Sequence, residues 1–133
     1  MEVLEAASQL HEVIVFTASA KAYADCVLDY LDPCGTLIHH RLYRSSCILT
    51  QGVYIKDLRI LKNRKLEDTI IIDNSAYSFA FQIDNGIPII EWKDDRTDRE
   101  LYNLIGYLRM IVKEGDVREI NQRAFKLNTF KSR

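Results

Sequence analysis

The sequence is poor in the residues that staple or punctuate small folds: its 133 residues include three cysteines, two prolines, five glycines and one tryptophan. Cys26, Cys34 and Cys47 are too few and too widely spaced for a disulfide framework, and no CxxC pair offers a zinc site. A reduced intracellular setting is therefore expected. No apolar run approaches the roughly 18 residues of a membrane helix. The opening Met1-Glu2-Val3-Leu4-Glu5 has no basic stretch ahead of an apolar one, so no targeting segment is expected and the protein reads as nuclear or cytoplasmic. Charge of one sign is also missing. Lys plus Arg number 18 against 19 Asp plus Glu, a formal net charge of −1, which gives no bulk signal for direct nucleic-acid binding. Neither a P-loop nor a GxGxxG occurs, and there is no repeat or Ser/Gly/Pro-rich linker.

What remains is a 47% hydrophobic, 28% charged chain of a length that suits one domain. Val13 to Phe16 is a short β-branched run ending in Thr17-Ala18-Ser19. Ala22, Tyr23, Cys26, Val27, Tyr30 and Leu31 then recur at helical spacing until Asp32-Pro33 stops them. Leu37 to Lys56 is rich in strand formers and closes on Gly52-Val53-Tyr54-Ile55-Lys56-Asp57. Thr69 to Ile72 is a second fully apolar run, halted by Asp73-Asn74-Ser75, and Ile87 to Trp92 a third, followed by Asp94 and Asp95. Thr97 and Glu100 have the spacing of a capping box. Leu101, Leu104, Ile105, Leu108, Ile111 and Val112 then predict an amphipathic helix up to Gly115, and a shorter charged helix is predicted from Asp116 to about Arg123. Apolar strands with polar tips between helices predict an α/β fold whose mostly parallel sheet is covered on both faces.

In such sheets ligands bind beyond the carboxyl ends of the strands. Those ends carry Thr17, Lys56, Asp73 with Asn74, and Asp94 with Asp95. A hydroxyl donates to phosphoryl oxygens, a lysine neutralises their charge, and a carboxylate beside a carboxamide offers hard oxygens that suit Mg²⁺ better than zinc. The same types are also ordinary strand-end and turn residues. Between Arg41 and Lys65 seven basic residues face one acid, a local +6 that would attract an acidic or phosphorylated partner unless acids elsewhere balance it, such as the six between Asp84 and Glu100. His39 and His40, adjacent on a strand, point to opposite faces and do not readily share a metal. Cys47, with no base placed beside it, reads as a buried structural thiol.

Five ordered segments carry a family resemblance. Phe16-Thr17-Ala18-Ser19 with Tyr23-Ala24-Asp25, His40 to Cys47, Gly52 to Leu58, Ile70 to Ser75, and Asn85-Gly86-Ile87-Pro88-Ile89 resemble the FCP1-homology phosphatases, the small C-terminal-domain phosphatases of RNA polymerase II and their dullard-like relatives in the haloacid dehalogenase superfamily. The likeness runs from about Leu4 to Leu127, leaving 128–133 as a tail. Asp116-Val117-Arg118 with Phe125-Lys126-Leu127 is most similar to the small-phosphatase-like branch. The resemblance implies a three-layer haloacid dehalogenase-like sheet and a Mg²⁺-dependent phosphatase acting on phosphoserine or phosphothreonine in proteins. It implies that Thr17 holds a phosphoryl oxygen and that Lys56 neutralises the phosphate and positions the nucleophile. Asp73 and Asn74 would serve the metal, with Arg44, Tyr23 and Ser19 on the substrate side. Ala76 stands where the family usually has proline, at some cost in loop rigidity.

The family's chemistry starts with a DxDxT strand, and no DxDxT occurs in the 133 residues. By analogy that strand is central, between the strands ending at Thr17 and Asp73. The favoured expectation is an active phosphatase read from its second strand onward. The alternative is a nucleophile-less protein that binds phosphoproteins or a partner. Substrate identity and oligomeric state are not encoded in any motif found.

Overall fold

In a computed structural model, which describes residues 2–89, 96–111 and 115–125, the chain alternates helices and three-residue strands. Helix α1 (Glu2–Leu10) leads into strand β1 (Ile14–Phe16), helix α2 (Lys21–Leu31) and strand β2 (His40–Leu42). The β3 (Ile48–Thr50) and β4 (Val53–Ile55) hairpin follows, then β5 (Ile71–Asp73) and β6 (Gly86–Pro88), and finally α3 (Arg96–Ile111) and α4 (Val117–Phe125). β1 pairs with β2 and β5 with β6, both parallel, while β3 and β4 pair antiparallel. The α/β class with parallel strands is as expected, but the strands form three two-stranded sheets rather than one continuous sheet.

Local chemistry explains the boundaries. α2 stops at Asp32, whose buried carboxylate accepts the backbone N–H groups of Thr36, Leu37 and Ile38. Those hydrogen bonds, Ile38's first, hold the carboxyl below its ordinary range. The β3–β4 turn puts Gln51 and Gly52 at φ +51° and +79°, the left-handed pair that a two-residue hairpin requires. α4 opens on Asp116, whose carboxylate accepts the Arg118 N–H. The third strand starts one residue earlier than predicted, at Gly86–Pro88, and ends before Ile89; the run beyond Ile89 to Trp92, and Asp94 and Asp95 after it, lie outside the described residues, as do Val112 and the segment 126–133. α3 already includes Arg96, so Thr97 sits within the helix instead of capping it.

The core gathers around β5 and β6. On one side Ile71 packs with Leu58 and the fully buried Phe79; on the other Ile87 packs with Leu104 and Leu108 of α3 and with Ala7 of α1. Ile111, Val117 and Ile120 extend this second side, with Ile70 touching both of its groups. Phe79 is delivered by Ala76–Asn85, a run of 3-10 turns broken at Phe79 and Gln82 that the sequence pattern does not predict. Gly86 is required there because a Cβ on it would lie 2.1 Å from the Phe79 ring.

β1 and β5 are partly open on the sides where the family analogy sets a further central strand. β1 is half-buried along its length and Ile72 is 38% exposed, so these strands are not covered as interior strands are. The reason is a groove of about 430 Å³ between β1 and β5, lined by Ile14, Phe16, Ile70 and Ile72, with Leu108 and Leu58 among the side chains that wall it. Val13 O and Thr17 N both bond toward the β2 side. In a parallel ladder the intervening Ile14 and Phe16 therefore turn their backbone groups into the groove. By the same parity Asp73 O bonds to Ile89 N, which turns the backbone of Ile72 into the groove from the other side. Glu12 and Arg64 also line the groove, and the carboxylate accepts both Nε and NH2 of the guanidinium at 2.8 and 2.6 Å.

Candidate phosphate and metal site

Thr17, Lys56 and Asp73 stand at the carboxyl ends of β1, β4 and β5, and the residues just before Thr17 and Asp73, Phe16 and Ile72, line the groove. Lys56, one residue past β4, is held by its backbone N–H to Ser78 O, and its Nζ lies 2.5 Å from Asp73 Oδ2. The two side chains are only 12% and 10% exposed. Asp73 Oδ1 accepts the Ser75 N–H at 3.1 Å, which fixes the carboxylate at the strand tip. An ammonium has three N–H donors, so two remain for another anion. Asn74 is exposed next to Asp73.

Thr17 donates its backbone N–H to Leu42 O, and its Oγ1 accepts the Ser19 N–H at 3.0 Å, leaving the hydroxyl proton for an incoming oxygen. Ser19 O in turn accepts the Arg44 N–H, and Arg44 Nε donates to Ala18 O at 2.7 Å. The Thr17-Ala18-Ser19 turn thus carries Arg44 on its outer side. Cys47 ties the groups together: its thiol is 3.8 Å from Thr17 O, and it feels the charges of Lys56, Arg44 and Asp73. Burial nevertheless pushes the thiol pKa up, against the pull of the two cations, as suits a structural cysteine. Tyr23 stands apart, 69% exposed on α2, and none of the hydrogen bonds joining the other site residues reaches it.

Among the described residues the basic segment is mostly neutralised, by Glu12, Asp25, Asp29, Asp57, Glu67 and Asp73. Arg41 bridges Asp25 and Asp29, Lys56 pairs with Asp73, Arg59 with Asp57 and Arg64 with Glu12, while Lys65 reaches Glu67 at 3.9 Å. Arg44 and Lys62 are the two of the seven that have no carboxylate partner among the described residues. Asp25 also accepts from Lys21 and from Tyr43 Oη, contacts that hold its carboxyl far below the ordinary range and fasten α2 to the end of β2 just before Arg44. The histidines have local tasks: His39 Nδ1 accepts the Val13 N–H, and His40 lies 3.3 Å from Glu12.

Sequence reasoning passed over two residues around Lys56. Asp57 is 4% exposed; it accepts from Arg59 and from Gln82 Nε2, and Gln82 Oε1 accepts the Leu58 N–H. This buried network pins the backbone that follows Lys56. The short Lys56-Asp57-Leu58 motif carried that signal, but its partner Gln82 lies 25 residues away.

For a cation, Asp73 and Asn74 are neighbours at one strand tip and are of the oxygen-donor types that Mg²⁺ takes. Among the described residues no three His, Cys, Asp or Glu side chains gather as a metal cage. A Mg²⁺ here would therefore fill its shell with water and phosphate oxygens, as this ion ordinarily does.

The chain matches the family model described as NLI interacting factor-like phosphatase over residues 1–118. It is 46% identical over 126 residues to CTD small phosphatase-like protein 2 of Dictyostelium discoideum, covering 95% of this chain and 22% of that protein. Identity is 49% over 117 residues with CTD small phosphatase-like protein 3 of Caenorhabditis elegans, covering 87% of this chain and 40% of that one. With the human CTD small phosphatase-like protein it is 44% over 116 residues, covering 87% and 41%. The chain thus spans less than half the length of these relatives. A solved structure of fission yeast RNA polymerase II CTD phosphatase Fcp1 bound to beryllium fluoride superimposes with a TM-score of 0.58 at 19% identity, covering 82% of this chain and 34% of that one, and so supports the fold. Family model and relatives agree, and the fold is in keeping with them: the chain belongs to the NLI interacting factor-like phosphatases, with a haloacid dehalogenase-type fold.

Proposed function

We propose that this chain forms the phosphate- and Mg²⁺-binding part of a protein phosphatase acting on phosphoserine or phosphothreonine, and that it works in the nucleus or cytoplasm. The observation that carries the reading is the Lys56–Asp73 pair at the tip of β5, with Thr17 at the tip of β1, the two strands whose Phe16 and Ile72 line the groove. In this reading the Thr17 hydroxyl and the amides of its turn hold phosphoryl oxygens, and Lys56 neutralises their charge while its bond to Asp73 keeps it in place. Ser19 shapes the turn, Arg44 meets the phosphate from the rim, and Tyr23 contacts the peptide farther out. Asp73 and Asn74 would hold Mg²⁺, whose chemistry is to offset charge on the transferring group.

The attacking carboxylate is assigned to a further strand of the DxDxT type. The groove supports that assignment: it turns backbone donors and acceptors inward from Ile14, Phe16 and Ile72 and is walled by apolar side chains, as an interior parallel strand demands. The 133-residue chain by itself is accordingly read as a phosphoprotein binder without turnover. Titrating it with a phosphoserine peptide and its unphosphorylated twin tests the site; equal affinities would sink the reading. Mg²⁺-dependent hydrolysis by the purified chain, lost in Asp73→Ala, would overturn the absence of turnover. In a chain completed with a DxDxT strand, Lys56→Ala should cost about 10²-fold or more in turnover.

A further inference from the structure

We infer that Tyr54 is the positioning residue for Arg44: its ring fixes the guanidinium in register with Lys56, so that the two cations present a preset pair to one phosphate. This rests on the phosphate-binding reading above.

Arg44 is unusual among the basic residues of its segment. Its neighbours Arg41, Arg59 and Arg64 are each oriented by a carboxylate, whereas Arg44 has none among the described residues. It is oriented by two neutral contacts instead. Nε donates to Ala18 O at 2.7 Å, and the guanidinium carbon lies 5.3 Å from the Tyr54 ring centroid, within cation–π range. A guanidinium seated over a ring and held at one edge atom by a carbonyl keeps little rotational freedom. Its four terminal N–H groups donate to no partner among the described residues, so the fork stays available for a bidentate oxyanion. A carboxylate in place of the ring would orient the group equally well but would occupy the fork and cancel its charge.

Tyr54 is well placed to set the distance. The Gln51-Gly52 turn fixes the hairpin register with Tyr54 opposite Leu49. Side chains two apart on an extended segment share a face, about 7 Å apart along it, so Tyr54 and Lys56 project to the same side. Lys56 is locked by Asp73, and Arg44 is locked by the residue two positions before Lys56. One short strand therefore carries both the ammonium and the platform for the guanidinium.

The experiment is a double-mutant cycle on the full chain, read by titration with a phosphoserine peptide and its unphosphorylated twin. Arg44→Ala should weaken phosphopeptide binding about 10-fold or more, the scale of a charge-assisted hydrogen bond. Tyr54→Leu, which keeps apolar bulk but removes the ring, should weaken it about 3-fold, and Tyr54→Phe should match the wild type. Tyr54→Leu should add nothing on top of Arg44→Ala, the signature of a residue acting through another. Circular dichroism confirms folding, and Tyr54→Met replaces the leucine variant if that chain is unfolded. Tyr54 variants that bind like wild type, or whose effect adds in full to that of Arg44→Ala, overturn the inference while leaving the phosphate site standing. No preference for the phosphopeptide in the wild type removes both.

Discussion

Replacing Lys56 by methionine tests the central pair directly. The change keeps the length of the side chain and removes its charge, and it leaves Asp73, 10% exposed, with the Ser75 N–H and no cation. Breaking one half of a buried pair costs about 3–5 kcal/mol, because the remaining charge sits in a poorly solvated place. That is a large share of the roughly 5–15 kcal/mol that holds a domain together. With a urea dependence of about 2 kcal/mol per molar, the midpoint followed by far-UV circular dichroism should fall by about 1.5–2.5 M. The double variant Lys56→Met/Asp73→Leu removes both charges and should regain most of that loss. A single variant within about 0.5 kcal/mol of the wild type, or a double variant as unstable as the single, would refute the view that these charges hold each other in place.

The other predictions concern the frame around the site. Gly86→Ala pushes a methyl to 2.1 Å from the Phe79 ring and should destabilise by about 1–3 kcal/mol, and Phe79→Leu in the same chain should recover part of it; equal midpoints for Gly86→Ala and wild type would show that the ring yields. Gly52 has open space around its Cβ position, so Gly52→Ala should cost about 1 kcal/mol through its φ of +79° alone, with Gly52→Asn milder in the same urea assay. Asp57 is held down to about 2, chiefly by the Arg59 hydrogen bonds and against burial. A carboxyl lowered on folding contributes stability that is present above its unfolded pKa and lost as pH falls through the folded one. Urea midpoints should therefore drop between about pH 4 and pH 2 in the wild type, and this part of the drop should be absent in Asp57→Asn.

The sequence exposed whatever is written locally. The strand ends at Thr17 and Asp73, the stop at Asp32 and the apolar face of Leu104, Leu108 and Ile111 all follow from spacing and from residue types that end or continue an element. What escaped it is set by partners far along the chain. Arg64 is tied to Glu12 across 52 residues and Arg41 to Asp25 across 16, so a segment that counts as +6 on paper leaves few free cations in space. The Ala76–Asn85 turns were illegible because a run broken at Phe79 and Gln82 has neither a strand nor a helix period. The opening between β1 and β5 was legible only through the family analogy, which sets a further strand between those ending at Thr17 and Asp73; an apolar run by itself shows that a strand can be covered, not that its neighbour is present. The orienting contact between Arg44 and Tyr54 carries no motif at all.

The groove between β1 and β5 also bears on the behaviour of the protein in concentrated solution. Its walls present isoleucines and a phenylalanine beside backbone groups that favour another extended segment. Selection for the right occupant rests on shape and register, and an unrelated apolar stretch from a neighbouring molecule satisfies the same hydrogen bonds less well but at higher abundance. Precipitation of the isolated chain should therefore rise steeply with concentration, and a single lysine at Ile14 or Ile72 should suppress it more than several charges placed on the outer helices.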